Sequence, residues 1–144
     1  MNIDRILDVF RAELSLDSLE VRDVPDDETI VALPSEEIHR AVHLLVERFD
    51  LRHLSTITGV DIGDEIELLY HFWAGRGLTL RTSLPKEDPH IATLTDVIPG
   101  ASFYEREVWE MLGVTFDGHP NLQRLFLPED WGEGSLPLRR EEEK

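Results

Sequence analysis

The chain has 144 residues, enough for one domain with a hydrophobic core but not for two independent domains. Its 30 acidic and 14 basic residues give a formal charge of -16, which repels nucleic acid phosphates and anionic lipids, so we expect no nucleic acid partner and no direct membrane insertion. The absence of cysteine excludes disulfides, thiolate zinc sites and the usual ligands of iron–sulfur clusters, so we expect no cofactor in this chain.

The first third of the chain predicts two amphipathic helices separated by a β-hairpin. Two β-prone runs, 19–24 and 29–33, flank a Pro-Asp-Asp turn. Helical spacing of apolar residues marks the first helix at Ile3, Ile6, Leu7, Phe10 and Leu14. The second helix opens at 34–37, and its buried side is expected to carry Ile38, Val42, Leu45, Val46 and Phe49.

From residue 51 the pattern becomes extended. Three β-prone runs at 51–61, 65–73 and 78–84 are separated by glycine-containing turns and predict a meander. Residues 91–98 are ambiguous, although Thr93 and Asp96 favour a small helical turn. We therefore expect a two-layer α+β domain over residues 1–112, with a mixed, mainly antiparallel sheet of about five strands and helices on one face.

A charged helix is predicted at 102–112, with Gly113 suited to its left-handed end. Its apolar side is expected to carry Tyr104, Val108, Met111 and Leu112. Its other sides carry Glu105, Arg106, Glu107 and Glu110, and composition alone favours a solvated face for these four. Glu105 and Glu107 point to different sides, so they cannot flank one substrate atom as acid and base, and each needs another partner or water.

The histidines give weaker signals. His39 and His43 lie four apart on the second helix, a spacing that can place two imidazoles on one metal, but no third ligand is obvious nearby. His71 lies within an apolar strand and predicts a hydrogen-bonded core or interface histidine. His119 lies between a glycine and a proline, which favours a loop staple, with a metal ligand and a proton carrier as alternatives.

Residues 113–144 lose periodicity but keep large apolar side chains, so they predict an extended C-terminal arm that docks on the domain or on a partner. Arg124, Arg139 and Arg140 form a basic cluster whose guanidinium groups suit carboxylates on another chain. Trp131 lies among polar residues and needs a pocket, either in a partner or in its own domain.

Five motifs in the C-terminal region stand in a distinctive order and spacing. They are Glu-Arg-Glu at 105–107, Glu-Met-Leu-Gly at 110–113, Phe-Asp-Gly-His-Pro at 116–120, Pro-Glu-Asp-Trp at 128–131 and Pro-Leu-Arg at 137–139. In these motifs the chain resembles the thirty-kilodalton subunit of respiratory complex I, known in bacteria as the C subunit of NADH-quinone oxidoreductase. The family includes the related subunit of membrane-bound nickel–iron hydrogenases. Gln123 departs from the family pattern, which usually has a second basic residue there.

The resemblance implies a noncatalytic scaffold subunit, peripheral on the cytoplasmic side of the membrane, without a catalytic site of its own. It implies contact with a large hydrogenase-like catalytic subunit and a small iron–sulfur subunit. These partners carry the iron–sulfur clusters, and in the hydrogenases also a nickel–iron centre. Electrons pass through these cofactors to quinone or protons, and this transfer is coupled to ion translocation. It implies an interface that includes Glu105, Arg106, Glu107, Glu110, His119, Pro120, Arg124, Trp131, Leu138 and Arg139.

Three alternatives remain open on the sequence. The first is the corresponding subunit of a membrane-bound hydrogenase with ferredoxin as donor. The second is a stand-alone metalloenzyme built on His39, His43 and His119. The third is an acidic adaptor for an unrelated basic partner.

Overall fold

The computed structural model describes residues 3–14, 20–24 and 28–122, with side chains for 3–14 and 28–122. Within these ranges the helices are α1 (Ile3–Glu13), α2 (Ser35–Phe49) and α3 (Ala101–Leu112). The strands are β1 (Glu20–Val24), β2 (Glu28–Ala32), β3 (Leu54–Asp61), β4 (Glu65–Trp73), β5 (Gly77–Pro85), β6 (His90–Ala92) and β7 (Thr115–Asp117). The order of these elements confirms an α+β domain.

Five strands form one mixed sheet in the order β1-β2-β5-β4-β3. β1 and β2 form the predicted antiparallel hairpin, and β3, β4 and β5 form the predicted antiparallel meander. β2 and β5 join these two units as a parallel pair, in which Val31 lies opposite Leu80. The predicted mixed and mainly antiparallel sheet of five strands is therefore confirmed.

One face of this sheet is buried by the helices. Along β4 the side chains of Ile66, Leu68, Tyr70 and Phe72 are buried, whereas those that alternate with them are half-buried or exposed. α2 contacts β5, and α3 packs on β3 at Gly59, where a Cβ atom would collide with Leu112 Cδ1. The glycine thus lets α3 approach the sheet closely.

The first two helices bury the predicted residues. On α1 the side chains of Ile6, Leu7 and Phe10 are buried. On α2 the buried residues are Ile38, Ala41, Val42, Leu44 and Leu45, while Val46 and Phe49 are half-buried against the core. α2 ends at Phe49 and is capped by Asp50, whose φ of 52° is left-handed and whose backbone N–H donates to the carbonyl of Val46 at 3.0 Å.

A second, two-stranded sheet was not predicted. β6 pairs with β7 in parallel, so that Ile91 lies opposite Phe116, and both side chains are buried. The predicted small turn follows β6, with the amides of Val97 and Ile98 donating to the carbonyl of Leu94 at 2.9 and 2.7 Å. The chain therefore stays within the fold for several residues beyond Gly113. In the part of the chain that the structure describes, no helix has both the length and the apolar character needed to span a membrane.

Candidate functional site

Helix α3 buries two of the four residues predicted for its apolar side, Val108 and Leu112, but the rest of its buried side differs from the prediction. Its buried residues are Ala101, Glu105, Val108, Glu110 and Leu112, whereas Tyr104 and Met111 are only half-buried. Ala101, Glu105, Val108 and Leu112 follow one another at three- and four-residue steps, so they share one side of the helix. A glutamate therefore occupies a position in the apolar stripe.

The solvated-face interpretation is wrong for two of the four charged residues of this helix. Glu105 is 0% exposed and Glu110 is 4% exposed. Arg106 and Glu107 are half-buried, and Arg106 Nε has no hydrogen-bond partner among the described residues. A buried carboxylate is costly unless its oxygens accept hydrogen bonds, so the environment of Glu105 requires an explanation.

Glu105 finds its partners in the turn that follows β6. The hydroxyl of Thr93 donates to Glu105 Oε1 at 2.5 Å, and the backbone N–H of Leu94 donates to Glu105 Oε2 at 2.8 Å. The backbone N–H of Thr95 in turn donates to Thr93 Oγ1 at 3.1 Å. The carboxyl group thus connects this turn to α3, and it also satisfies the buried backbone N–H of Leu94.

Burial is the largest influence on the pKa of the Glu105 carboxyl group. It raises the pKa of Glu105 from 4.5 to about 7, while the hydrogen bonds from Thr93 and Leu94 oppose the rise and the charge of Asp96 adds to it. Burial and the charge of Glu105 also raise the pKa of Tyr70 well above its usual value. Tyr70 is 0% exposed, and its hydroxyl has no hydrogen-bond partner among the described residues.

The ring of His119 also lies next to the Glu105 carboxyl group. Its side chain is 0% exposed, and its Nε2 lies 4.0 Å from Glu105 Oε1 and 3.2 Å from the carbonyl oxygen of Ser102. The backbone N–H of Asn121 donates to His119 Nδ1 at 2.9 Å, so a neutral ring carries its proton on Nε2 and donates it to Ser102. Gly118, with a φ of 85°, allows the turn that brings the ring inward.

We call the group formed by Glu105, Thr93, Leu94, Ser102 and His119 the α3 junction. It joins three segments that are distant in sequence: helix α3, the turn after β6 and the chain that leaves β7. The contacts of His119 within the described residues are those expected of a loop staple, one of the three roles that the sequence leaves open. The junction holds the last described residues against the first turns of α3, immediately before the segment that carries four of the ten predicted docking residues.

The remaining predicted site residues fall into two groups. Pro120 is exposed next to the junction, and Arg106 and Glu107 lie half-buried on α3. Arg124, Trp131, Leu138 and Arg139 lie outside the described residues, as does Arg140. Their predicted contacts with a partner stay predictions.

The histidines of the metalloenzyme hypothesis are not brought together. His39 Nε2 contacts Asp96 at 2.9 Å, His43 Nδ1 contacts Glu47 at 3.2 Å, and His119 belongs to the α3 junction. In the ranges 3–14 and 28–122, no three histidine or carboxylate side chains are placed to hold one metal ion. The ring of His71 makes one hydrogen bond with the hydroxyl of Thr58 at 3.0 Å and another with the hydroxyl of Thr79 at 3.1 Å, in agreement with the predicted hydrogen-bonded histidine.

Sequence reasoning missed Thr93, Ser102 and Tyr70 as members or neighbours of this site. One signal was present, because Glu105 stands four residues after Ala101 and three before Val108, in the middle of the apolar stripe. A carboxylate in such a position needs internal donors. Which residues supply them depends on the packing of the turn at residues 93–95 against α3, and periodicity carries no information about that.

Comparisons with known proteins place the chain in a family. The family model described as "Respiratory-chain NADH dehydrogenase, 30 Kd subunit" matches residues 31–143. The C subunit of NADH-quinone oxidoreductase from Acidothermus cellulolyticus is 41% identical over 92 residues, which are 59% of this chain and 48% of that protein. The C/D subunit of the same oxidoreductase from Yersinia pestis is 42% identical over 80 residues, which are 54% of this chain and 13% of that protein. The chain thus spans half or less of the length of these curated relatives.

Two solved structures share the fold. A trypsin-resistant fragment (1–134) of Nqo5 superposes with a TM-score of 0.70 at 28% identity, covering 85% of this chain and 100% of the fragment. A chain of the membrane-bound sulfane sulfur reductase, an archaeal respiratory membrane complex, superposes with a TM-score of 0.79 at 24% identity, covering 95% of this chain and 81% of that chain. The second likeness concerns the fold alone.

Proposed function

We propose that this chain, which belongs to the family of the 30 kDa subunit of respiratory-chain NADH dehydrogenase, is a noncatalytic scaffold subunit of a complex I-like respiratory oxidoreductase. In this role it lies on the cytoplasmic side of the membrane, in the peripheral arm of the complex. It orients the large catalytic subunit and so supports electron transfer coupled to ion translocation. The family match over residues 31–143 supports the assignment to such a complex.

The observation that carries the scaffold role is the α3 junction. Glu105 and His119, whose side chains are both 0% exposed, hold the chain that leaves β7 against α3. The half-buried charges Arg106 and Glu107 on α3 and the start of the C-terminal segment therefore have a fixed relative orientation. A subunit that positions a neighbour needs such a rigid presentation, because a loosely held site costs function.

The partners in this proposal are a large hydrogenase-like subunit and a small iron–sulfur subunit. The name of the Yersinia pestis relative joins C and D in one protein, of which this chain covers 13%. That name supports a D-type companion beside a C-type chain. The chain has no cysteine, so in this proposal the iron–sulfur clusters belong to the neighbours.

The corresponding subunit of a membrane-bound hydrogenase, with ferredoxin as electron donor, is the alternative within the family. The two proposals differ in what the partners carry. Nickel that co-purifies with the large subunit would support the hydrogenase, whereas a complex that contains iron and oxidises NADH would support the respiratory oxidoreductase.

The proposal is tested by purifying the full chain, tagged at its own locus, from detergent-solubilised membranes of its host and identifying the bound proteins. Arg106→Glu reverses a half-buried charge on α3, and unpaired charges at a desolvated contact are strongly unfavourable. We expect this variant to recover the large subunit at least tenfold less well than the unsubstituted chain. Arg5→Glu is the matched control, because Arg5 is exposed on α1.

A melting curve of each isolated variant separates docking from folding. If Arg106→Glu melts within a few degrees of the unsubstituted chain and still loses the large subunit, the loss reflects the interface. If it folds and recovers the large subunit as well as Arg5→Glu does, the proposed role of α3 is wrong. Truncation after Pro128 tests the C-terminal arm in the same way, with loss of the partner expected at an unchanged melting temperature.

A further inference from the structure

We propose that the outer edge of β3 accepts an extended segment of a partner subunit, which adds to the sheet as a further strand and places a lysine or arginine beside Glu107. The inference rests on the proposed function, because it specifies how the partner of that function is bound. It is carried by the backbone of the strand, the groove next to it and the carboxylate of Glu107, which has no partner among the described residues.

β3 is the last strand in the order of the five-stranded sheet. The turn after it is closed by a hydrogen bond from the N–H of Ile62 to the carbonyl of Glu65, 3.0 Å long. Hydrogen-bonded and non-hydrogen-bonded pairs alternate along an antiparallel ladder, and the register with β4 is regular from Thr56 to Asp61. The backbone groups of Thr58 and Val60 therefore face β4, and those of Ile57 and Gly59 face away from it.

Between Thr56 and Val60 this edge lacks the features that normally prevent strand addition, since the bulge lies at the start of the strand and the buried charge of Asp61 lies at its end. Edge strands are usually protected by charged side chains, proline, bulges or short length. β3 has eight residues, Leu-Ser-Thr-Ile-Thr-Gly-Val-Asp, with its irregularity confined to the start and neither a lysine nor a proline. Val60, near its far end, is 39% exposed, and Ile62, the first residue after it, is 45% exposed. The opposite edge strand, β1, has the sequence Glu-Val-Arg-Asp-Val, in which charged residues are the majority.

A groove runs between β3 and α3. It has a volume of about 140 Å³, several times the ~30 Å³ share of one water molecule. Ile57, Val108 and Leu112 line it from both elements, and Gly59 leaves the strand side without a side chain. An added strand would place alternate side chains over this groove, which is how strand addition obtains specificity beyond its backbone hydrogen bonds.

Glu107 lines the same groove and defines the charge of the occupant. It is half-buried and makes no hydrogen bond or ion pair with any residue in the described ranges. A guanidinium or ammonium group would pair with it, and the formal charge of -16 disfavours an acidic segment. The occupant is thus an extended partner segment with basic and apolar side chains, rather than a second copy of this acidic chain.

The experiment is cysteine footprinting, because the native chain contains no cysteine and each introduced thiol is unique. Val60→Cys places a thiol on the edge strand, and Ser83→Cys places one on the interior strand β5. Both positions are exposed, and both lie opposite Glu67 in the sheet register, so they form a matched pair. Maleimide labelling rates are measured for the full chain alone and in the complex purified from its host.

We expect assembly to slow labelling of the Val60→Cys thiol at least tenfold and to leave the Ser83→Cys thiol unchanged. Slowing of both thiols would mean that a partner covers the open sheet face, and would overturn the inference. Unchanged labelling of both in an assembled complex would overturn it as well, while leaving the proposed function intact. Failure of the unsubstituted chain to assemble with any partner would overturn both proposals.

Hydrogen exchange on the unsubstituted chain gives an independent measurement. We expect the amides of Ile57 and Gly59 to exchange at least tenfold more slowly in the complex than in the isolated chain. Protection of these amides that rises with the concentration of the isolated chain would identify a second copy as the occupant, and would contradict the partner strand. Equal exchange in the two states would contradict strand addition altogether.

Discussion

Replacing Glu105 by glutamine should change how folding stability depends on pH. Burial raises the pKa of this carboxyl from 4.5 to about 7. Between these values the folded chain holds a proton that the unfolded chain releases, so the contribution of this group is complete below about pH 4.5 and is lost as pH rises towards 7. Each pKa unit corresponds to about 1.4 kcal/mol, which gives a total loss of about 3 kcal/mol.

Glutamine keeps the shape of the protonated carboxyl and can still accept the hydrogen bond from Leu94, but it has no proton to lose. We therefore compare the free energy of unfolding of Glu105→Gln with that of the unsubstituted chain at each pH. As pH is raised from 5.5 to 8, this difference should increase by about 2 kcal/mol in favour of Glu105→Gln. The assay is urea denaturation followed by tryptophan fluorescence at several pH values. Subtraction of the two curves removes the contribution of every other titrating group.

Glu107→Gln is the matched control, because it removes one negative charge from the same helix at a half-buried position. The difference between the two glutamine variants isolates the buried carboxyl from the general charge of the chain. A stability difference between Glu105→Gln and the unsubstituted chain that stays constant with pH would refute the reasoning. So would a difference of opposite sign, since it would mean that the hydrogen bonds outweigh burial and lower the pKa.

Three further substitutions test the packing around the site by denaturation at pH 7. Tyr70→Phe removes a fully buried hydroxyl that lacks a partner among the described residues, so we expect the free energy of unfolding to stay the same or to rise by up to about 1 kcal/mol. A clear fall in this free energy would reveal a hydrogen bond. Gly59→Ala pushes a methyl group against Leu112 and should cost about 1–3 kcal/mol, and an unchanged midpoint would contradict the close approach of α3. Lys86→Met removes the ammonium group that lies 2.8 Å from the carboxylate of Asp61, whose side chain is 1% exposed. The free energy of unfolding should fall by about 3 kcal/mol, and an unchanged value would mean that the pair is solvated.

Most of the main sheet and all three helices follow from the sequence. The periodicity of α1 and α2, the Pro-Asp-Asp turn and the two glycine turns of the meander are local signals, and local signals are what a sequence states directly. The small sheet escaped prediction, because β6 and β7 have three residues each and pair across more than twenty residues of chain. Strands of that length have too few alternating positions to show a pattern.

The candidate site was predictable only in part. Glycine and proline on either side of His119 indicated a ring held in one direction, and the structure places that ring between Ser102 and Asn121. The sequence does not predict the environment of Glu105. Its periodicity places Tyr104 and Met111 on the apolar side of α3 with Val108 and Leu112, whereas the structure buries Ala101 and Glu105 beside those two residues. Thr93 became a donor to Glu105 through tertiary packing, which no local pattern of the chain records.

The proposed role of this chain is to position a catalytic neighbour inside a larger electron-transfer complex. Native mass spectrometry of the material extracted from the host's membranes tests it most directly. We expect a particle that contains this chain and a large hydrogenase-like subunit in equal numbers, together with iron bound to neighbouring subunits. A chain that is recovered alone, monodisperse and able to turn over a substrate without companions would contradict it.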